Sequence, residues 1–290
     1  MIDPDWLATL LRDEGLPKTF AAEIERLHAP MAARIAAVAM GPAFVVGICG
    51  PQGSGKSTAA LVLRRLLEKR GLTVALLSLD DLYLPIANRE ALARDVHPLL
   101  RTRGVPGTHD VALGLAVLDS LAGEGPTALP RFDKATDTRA PTATWPIVEG
   151  PVDIVLLEGW CVGARPERVE ALQAPVNALE RERDPDGAWR AYVNAALGGA
   201  YRALFSRLDL LIQFVAPDFE TILAWRQEQE HKLRARLAAA GEGTARTLDD
   251  AEVAVFVQHY ERLTRHIAHE MPARADIVVH LDSERRSSNI

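Results

Sequence analysis

One eight-residue motif constrains this chain more than any other feature: Gly50-Pro51-Gln52-Gly53-Ser54-Gly55-Lys56-Ser57. It matches the pattern G-x-x-x-x-G-K-[ST] at every position. The pattern has a physical basis, because glycines allow a tight turn whose backbone N–H groups surround the β- and γ-phosphates of ATP. We expect this loop and the following Thr58 to bind the nucleotide, with Lys56 reaching the phosphate oxygens and Ser57 holding Mg²⁺.

The residues on either side of the motif support this interpretation. Residues 43–49 are apolar and rich in β-branched side chains, which is typical of a buried strand. Over residues 57–70 apolar side chains recur at helical spacing, and Gly71 is placed to end the helix. The order strand, loop, helix therefore predicts a P-loop, and the alternative is a glycine-rich turn that binds no nucleotide.

The composition bounds the remaining possibilities. A chain of 290 residues with 48% hydrophobic and 25% charged residues can form one large α/β domain or two small ones. Its net charge of −6 provides no overall basic field, so we expect neither nucleic acid nor an anionic membrane as a partner. The only two cysteines, Cys49 and Cys161, lie in or beside predicted strands, which indicates reduced thiols.

The chain also lacks the usual signals for export or membrane insertion. The acidic residues 1–5 do not resemble a signal peptide. The longest apolar run, residues 35–49, is broken by Gly41-Pro42 and is shorter than the roughly 20 residues that span a bilayer. We therefore expect a cytoplasmic protein.

Five apolar runs of strand length alternate with helical segments, at residues 43–49, 73–79, 152–159, 208–215 and 276–281. This alternation predicts an α/β fold of the P-loop NTPase type, with three α/β/α layers and a five-stranded parallel sheet. Residues 1–40 are predicted to be a helical extension packed on the core, or alternatively a partner-binding element. Residues 41–290 are predicted to form the P-loop domain.

Carboxylates stand where two of these strands end. Asp80 and Asp81 follow the second run, and Glu158 closes the third. Ligands of open α/β sheets bind beyond the carboxyl ends of the strands. We expect Glu158 to lie near Mg²⁺ as a Walker-B-type acid. The alternative for Asp80 and Asp81 is that they cap the next helix.

Two charged loops could form a site for an anionic substrate. Residues 84–110 show few helical repeats and end in a segment that contains Arg103 and His109, followed by a helix over residues 111–121 with Thr108 or Asp110 as its N-cap. Residues 129–141 carry Arg131 and Lys134 and are bounded by prolines. The alternative for this second segment is a solvated charged loop.

A basic helix pair precedes the last strand. A long helix over residues 219–240 carries Arg226 and Arg234, and another follows to about residue 270. The region around residues 226–247 could form a helical lid whose arginines neutralise a phosphoryl group during its transfer. The alternative is an ordinary solvated helix face.

Five motifs occur in a fixed order: Gly-Pro-Gln-Gly-Ser-Gly-Lys-Ser-Thr (50–58), Ser-Leu-Asp-Asp-Leu-Tyr-Leu (78–84), Arg-Gly-Val-Pro-Gly-Thr-His-Asp (103–110), Leu-Pro-Arg-Phe-Asp-Lys (129–134) and Leu-Glu-Gly-Trp (157–160). Together they resemble the D-glycerate 3-kinase family, within the wider uridine kinase, phosphoribulokinase and pantothenate kinase group. The resemblance covers residues 40–285.

The resemblance implies ATP- and Mg²⁺-dependent phosphorylation of a small hydroxy acid, with D-glycerate giving 3-phosphoglycerate. Asp80 takes the place of the family's proposed base in the pattern Asp-x-aromatic-Tyr, with Leu82 at the aromatic position, and Glu158 matches its strand-end acid. The expected substrate-binding residues are Asp81, Tyr83, Arg103, His109, Arg131 and Lys134.

Other readings stay open at this point. The acceptor could be another small alcohol, such as pantothenate or a nucleoside, although the aromatic content of 6% offers few stacking surfaces for a nucleoside. The chain could also be a non-kinase ATP-binding regulatory protein. We expect a monomer or a homodimer.

Overall fold

The computed structural model describes residues 3–239 and 247–287. The strands are β1 Phe44–Cys49, β2 Val74–Ser78, β3 Gly125–Ala128, β4 Phe132–Asp133, β5 Thr138–Arg139, β6 Ile147–Gly150, β7 Ile154–Gly159, β8 Leu210–Val215 and β9 Ile277–His280. The helices are α1 Pro4–Asp13, α2 Phe20–Glu23, α3 Ala29–Val38, α4 Lys56–Glu68, α5 Ile86–Asp95, α6 Val111–Ala122, α7 Ala178–Arg183, α8 Ala188–Gly198, α9 Ala200–Phe205, α10 Phe219–Ala239 and α11 Asp250–Glu270.

Five of the strands form one parallel sheet in the order β2-β7-β1-β8-β9. These are the five strands that the apolar runs predict, so the predicted parallel sheet is confirmed. Strand β7 is buried along its whole length and β1 over all but its first residue, because both lie inside the sheet with helices on each face. The register sets Glu158 beside Ile48 of β1 and beside Ser78 of β2, at the carboxyl edge of the sheet.

Side chains alternate between two apolar cores, one on each face of the sheet. Val46 and Ile48 point into a core shared with α3, α4 and α10, whereas Val45 and Cys49 point into a core shared with α6 and α9. Alternate side chains of β1 therefore contribute to both cores. The predicted three-layer α/β/α arrangement is confirmed.

The first three helices pack against α4 rather than standing apart. Asp3 caps α1 by accepting hydrogen bonds from two backbone N–H groups, and Leu10 and Met31 are buried in the core that contains α4. Pro30 lies inside a helical stretch that continues from α2 through a π-helical turn, Ile24–His28, into α3.

Several elements lie outside the sequence-based expectations. Helix α5 occupies a stretch in which few helical repeats are visible, because its one buried residue is Arg89 and it has no apolar stripe. Strands β3 and β6 form one small antiparallel pair and β4 and β5 another, the latter inside the proline-bounded charged segment. Helices α7 to α9 fill the connection between β7 and β8.

Two further findings concern the chain as a whole. Within residues 3–239 and 247–287, no helix combines the length and the apolar character needed to cross a membrane. Cys49 and Cys161 are both buried free thiols, as the sequence predicts.

Candidate active site

The P-loop motif connects the central strand β1 to helix α4, which begins at Lys56. Gly55 precedes the helix with a φ of +80°, and no side chain caps the first turn, so its backbone N–H groups stay open to an anion. Lys56 forms no salt bridge within the described part of the chain. Ser57 is exposed beside it, and Thr58 Oγ1 lies 3.4 Å from Glu14 Oε2. This geometry suits the binding of nucleotide phosphates.

Close packing explains two of the glycines. A Cβ atom at Gly53, whose φ is +79°, would lie 2.5 Å from Cβ of Trp225 in α10. A Cβ atom at Gly50 would lie 2.7 Å from Ser54 Oγ. The turn between them is closed by a hydrogen bond of 3.2 Å that Ser54 N donates to Pro51 O. Only glycine fits these two positions without a shift of the neighbouring atoms.

Asp80 lies at the carboxyl end of β2, in a single 3-10 turn, Leu79–Leu82. One carboxylate oxygen accepts a 2.8 Å hydrogen bond from the Tyr83 hydroxyl, and the other lies 2.6 Å from Lys134 Nζ. Burial by itself would raise the pKa of Asp80, but the charges of Lys134 and Lys56 and the two hydrogen bonds hold it well below its usual range. The carboxylate is therefore ionised and sits between the P-loop lysine and a second ammonium group.

Asp81 anchors a neighbouring segment. Its carboxylate accepts hydrogen bonds from the backbone N–H of Phe132 at 3.0 Å and from Arg131 Nη1 at 3.3 Å. Burial is the main cause of its raised pKa, against the opposing effect of the Phe132 hydrogen bond. Asp81 thus ties the β4–β5 hairpin to the end of β2, which carries Arg131 to the site.

Arg103 is linked to the same hairpin from the other side. Its guanidinium pairs with Asp137, and Asp137 also pairs at 2.8 Å with the fully buried Arg89 of α5. A second pair, Arg139 with Asp110 at 2.9 Å, joins the two charged loops again. Asp110 also caps α6 by accepting a hydrogen bond from Leu113 N, which confirms the predicted N-cap. The two loops therefore form one cross-linked unit around Asp80.

His109, an expected substrate-binding residue, is a neutral group in this site. Burial lowers its pKa to about 4, so the imidazole is uncharged at pH 7. Its Nδ1 lies 2.5 Å from the Tyr201 hydroxyl, which also accepts a hydrogen bond from Gly107 N, and its ring stacks on Tyr83. The Tyr201 hydroxyl can then donate a hydrogen bond to Nδ1. In that tautomer the proton of the histidine is on Nε2, a buried atom without a partner in the described structure.

Glu158 lies at the end of β7 with only 7% of its surface exposed. Its Oε1 accepts a 2.6 Å hydrogen bond from Ser78 Oγ, whereas Oε2 is buried and unpartnered among the described residues. One ionisable oxygen ligand beside the P-loop, with the Ser57 hydroxyl as another, is a donor set that suits Mg²⁺, which keeps several water ligands. No cluster of three or more His, Cys, Asp or Glu side chains occurs in residues 3–239 and 247–287.

The two predicted lid arginines lie on α10 and are both engaged. Arg226 Nη1 lies 2.7 Å from Glu230 Oε2, and Arg234 Nη2 donates a 2.6 Å hydrogen bond to Leu248 O. The first contact lies within α10, whereas the second joins α10 to the segment just before α11. Residues 240–246, which the predicted lid region includes, lie outside the described residues, and the lid remains a prediction.

A buried aromatic support, which the sequence analysis does not predict, lies behind the site. Tyr260 donates a 3.0 Å hydrogen bond to Arg103 O, and its hydroxyl also interacts with the Gln52 side chain in the P-loop. Trp160 donates to Gly104 O at 2.8 Å. A Cβ atom at Gly104 would collide with the Tyr260 hydroxyl. The glycine at this position is therefore the sequence feature that could have indicated the contact between Tyr260 and the loop.

Comparison with known proteins identifies relatives of this chain. No family model matches it. The uncharacterized kinase mug58 of Schizosaccharomyces pombe is 33% identical over 230 residues, which cover 76% of this chain and 79% of that protein. The chloroplastic D-glycerate 3-kinase of Arabidopsis thaliana is 32% identical over the same share of this chain, and the match spans 46% of the plant enzyme.

A solved structure agrees with these relatives. D-glycerate 3-kinase from Cryptococcus neoformans superimposes with a TM-score of 0.72 at 25% identity, covering 94% of this chain and 99% of that one. The chain therefore belongs to the D-glycerate 3-kinase family of P-loop kinases and is a phosphotransferase with an alcohol group as acceptor.

Proposed function

We propose that this protein transfers the γ-phosphoryl group of ATP to a hydroxyl group of a small hydroxy acid, and that its acceptor is D-glycerate, giving 3-phosphoglycerate. One observation carries the proposal: the ionised Asp80 carboxylate lies 2.6 Å from Lys134 and within the field of Lys56. The site thus combines a hydroxyl-accepting group with cations near it, as a small anionic alcohol requires. Relatives named D-glycerate 3-kinase support the choice of acceptor.

In the proposed reaction the acceptor oxygen forms a bond to the γ-phosphorus while the bond from that phosphorus to the β–γ bridging oxygen breaks. Asp80 would accept the hydrogen bond, and then the proton, of the attacking hydroxyl. Lys56 and the open N–H groups of the P-loop would neutralise the charge on the phosphate oxygens. Most of the rate enhancement would come from this positioning, with the base adding roughly 10²–10⁴-fold.

The acceptor carboxylate would be held by the cations of the two charged loops. Lys134 is accessible, with 58% of its side chain exposed, and Arg103 is aligned by Asp137. Arg131 is partly engaged by Asp81 and would contribute mainly charge. His109 would act as a neutral donor through Nε2 rather than as a cation.

The residues that would hold Mg²⁺ are Ser57 and Glu158. The buried, unpartnered Oε2 of Glu158 supports this assignment, since a buried carboxylate oxygen without a partner is otherwise costly. When bound, the ion would supply charge neutralisation at the phosphates. Ser78 would fix the orientation of Glu158 through its 2.6 Å hydrogen bond.

The direct test is turnover with Mg·ATP against a panel of D-glycerate, L-glycerate, pantothenate, uridine and no acceptor, with Lys56→Ala as the blank. Turnover that depends on D-glycerate is the expected result. Turnover with pantothenate or uridine instead would overturn the proposed acceptor, and ATP hydrolysis that ignores every acceptor would overturn the proposed reaction.

A further inference from the structure

A short turn follows β9 and reaches back to the P-loop; we refer to residues 282–287 as the 282–287 turn. Asp282 organises it, because its Oδ1 accepts hydrogen bonds from the backbone N–H groups of Glu284 at 2.9 Å and Arg286 at 2.8 Å. Arg285 donates its own N–H to Asp282 O at 3.0 Å and has a φ of +63°.

Arg285 contacts the P-loop directly. Its Nε donates a 2.7 Å hydrogen bond to the backbone carbonyl of Gly53. Its Nη2 lies 2.6 Å from Glu228 Oε2, and the guanidinium carbon lies 5.2 Å from the ring centroid of Trp225. Trp225 in turn donates its indole N–H to Ser283 O at 2.7 Å. The guanidinium is thus held between the P-loop and two side chains of α10.

The contact with Gly53 has a consequence for the conformation of the P-loop. A peptide unit is planar, so fixing the carbonyl of Gly53 also fixes the N–H of Ser54 in the same unit. That N–H closes the turn of the loop by donating to Pro51 O at 3.2 Å. Arg285 therefore holds the turn through the Gly53 carbonyl.

The far end of the 282–287 turn is held by the helices before the sheet. Arg26 donates a 2.8 Å hydrogen bond to Ser287 O, and the Ser287 hydroxyl donates to Glu23 Oε1 at 2.6 Å. The 282–287 turn is thus held at both ends, and these contacts fix the position of Arg285 relative to Gly53.

We propose that Arg285 is a positioning residue for the nucleotide: it holds the P-loop in its phosphate-accepting conformation and couples that conformation to α10. The inference rests on the proposed role of the P-loop as the ATP site. It assigns a function to a residue outside the P-loop motif and outside both charged loops, and it connects ATP binding to the helix that carries Arg226 and Arg234.

The test compares Arg285→Gln with Arg286→Gln, a matched control in the same turn. Arg286 is exposed and its side chain pairs with Glu284. Glutamine tolerates the positive φ of residue 285 about as well as arginine does, so backbone strain is nearly unchanged. We expect Arg285→Gln to weaken ATP binding by about tenfold, as loss of a charge-assisted hydrogen bond does, in calorimetric titration without acceptor. Arg285→Lys should recover part of the affinity, and Arg286→Gln should bind as the wild type does.

The pattern of the kinetic constants separates positioning from general destabilisation. We expect Arg285→Gln to raise KM for ATP and leave KM for the acceptor within about twofold. An ATP Kd of Arg285→Gln equal to that of the wild type would overturn the inference while leaving the proposed function intact. Failure of the wild type itself to bind ATP would instead count against the proposed function.

A second variant covers the case in which Arg285→Gln does not fold. Glu228→Gln removes the carboxylate that orients the guanidinium but keeps Arg285 in place. We expect a two- to threefold loss of ATP affinity. In free energy this is about half of the tenfold loss expected for Arg285→Gln. An unchanged ATP Kd in a folded Glu228→Gln protein would contradict the proposed coupling to α10.

Discussion

The ammonium group of Lys134 lies 2.6 Å from one carboxylate oxygen of Asp80. This pair decides what Asp80 can do, because the neighbouring positive charges hold its pKa below the usual range although burial acts in the opposite direction. A carboxylate with such a low proton affinity is a weak base but a reliable hydrogen-bond acceptor. In the proposed reaction, the acceptor hydroxyl would therefore have to displace or share the Lys134 contact before Asp80 could take up its proton.

Replacing Lys134 with methionine removes that charge and leaves the burial of Asp80 in place. The pKa of Asp80 should then rise, so activity that needs the ionised carboxylate should be lost at a higher pH as the solution is acidified. We also expect KM for an anionic acceptor to rise about tenfold, since a charge-assisted contact is lost. The measurement is the pH dependence of kcat/KM, with the exposed Lys18→Met as control; an acidic limb at the wild-type position would argue against the pairing.

Asp80→Asn should lower kcat by roughly 10²–10⁴-fold, because the amide cannot accept the proton of the attacking hydroxyl. Binding of ATP should change little, since Asp80 is outside the P-loop. Asp119→Asn is a suitable control, because Asp119 is exposed on α6 and pairs there with Arg207. Nearly full kcat in folded Asp80→Asn would remove Asp80 from the proposed chemistry.

His109 should make folding stability depend on pH in a defined window. Its pKa is about 4 in the folded protein and 6.5 as the ordinary value, so between these values the unfolded state binds more protons. Stability therefore rises as pH increases from about 4 to 6.5, by at most about 3 kcal/mol from this group. His109→Gln should flatten that slope in urea titrations at several pH values.

His28 provides an internal comparison for this experiment, because burial also lowers its pKa to about 4. His28→Gln should flatten the same window and leave the acceptor KM unchanged, whereas His109→Gln should alter both. A slope in His109→Gln equal to that of the wild type would mean that His109 is charged in the folded protein.

Gly53→Ala should destabilise the protein beyond the strain of its positive φ. The matched control is Gly71→Ala, because Gly71 has a φ of +82° and no atom within 4 Å of an added Cβ. Gly71→Ala should cost roughly 1–2 kcal/mol, the usual strain of a left-handed residue. Gly53→Ala adds a contact of 2.5 Å with Trp225, so its unfolding free energy without nucleotide should fall further. Equal losses in the two variants would show that α10 moves away without cost.

Glu158→Gln should raise the Mg²⁺ concentration needed for half-maximal activity by about tenfold, since a neutral amide is a weaker ligand for a hard cation. Ser78 can still donate to the amide oxygen, so the side chain should keep its place. Glu149→Gln, on the exposed strand β6, is the control. An unchanged Mg²⁺ requirement would exclude Glu158 as a ligand.

The sequence predicts the parallel sheet because buried parallel strands are continuous apolar runs, as in β7. It predicts the position of Asp80 because strand ends converge at one edge of such a sheet. It does not reveal α5, whose buried residue is Arg89, since an inward arginine breaks the apolar periodicity. It does not reveal that His109 is neutral, because the burial of the ring depends on Tyr83 and Tyr201, which pack around it. Contacts between distant segments, such as Arg285 with Gly53, leave no local pattern.

Tyr260 lies on α11, and its hydroxyl contacts two separate loops of the site. It interacts with the Gln52 side chain of the P-loop and donates a hydrogen bond to the carbonyl of Arg103 in the first charged loop. A ligand that displaced either loop would therefore strain the contact that this hydroxyl makes with the other loop. Thermodynamic reciprocity then requires that ATP changes acceptor affinity by the same factor as the acceptor changes ATP affinity. If both substrates bind as proposed, coupling between them would pass through this one hydroxyl and would need no large movement of the domain.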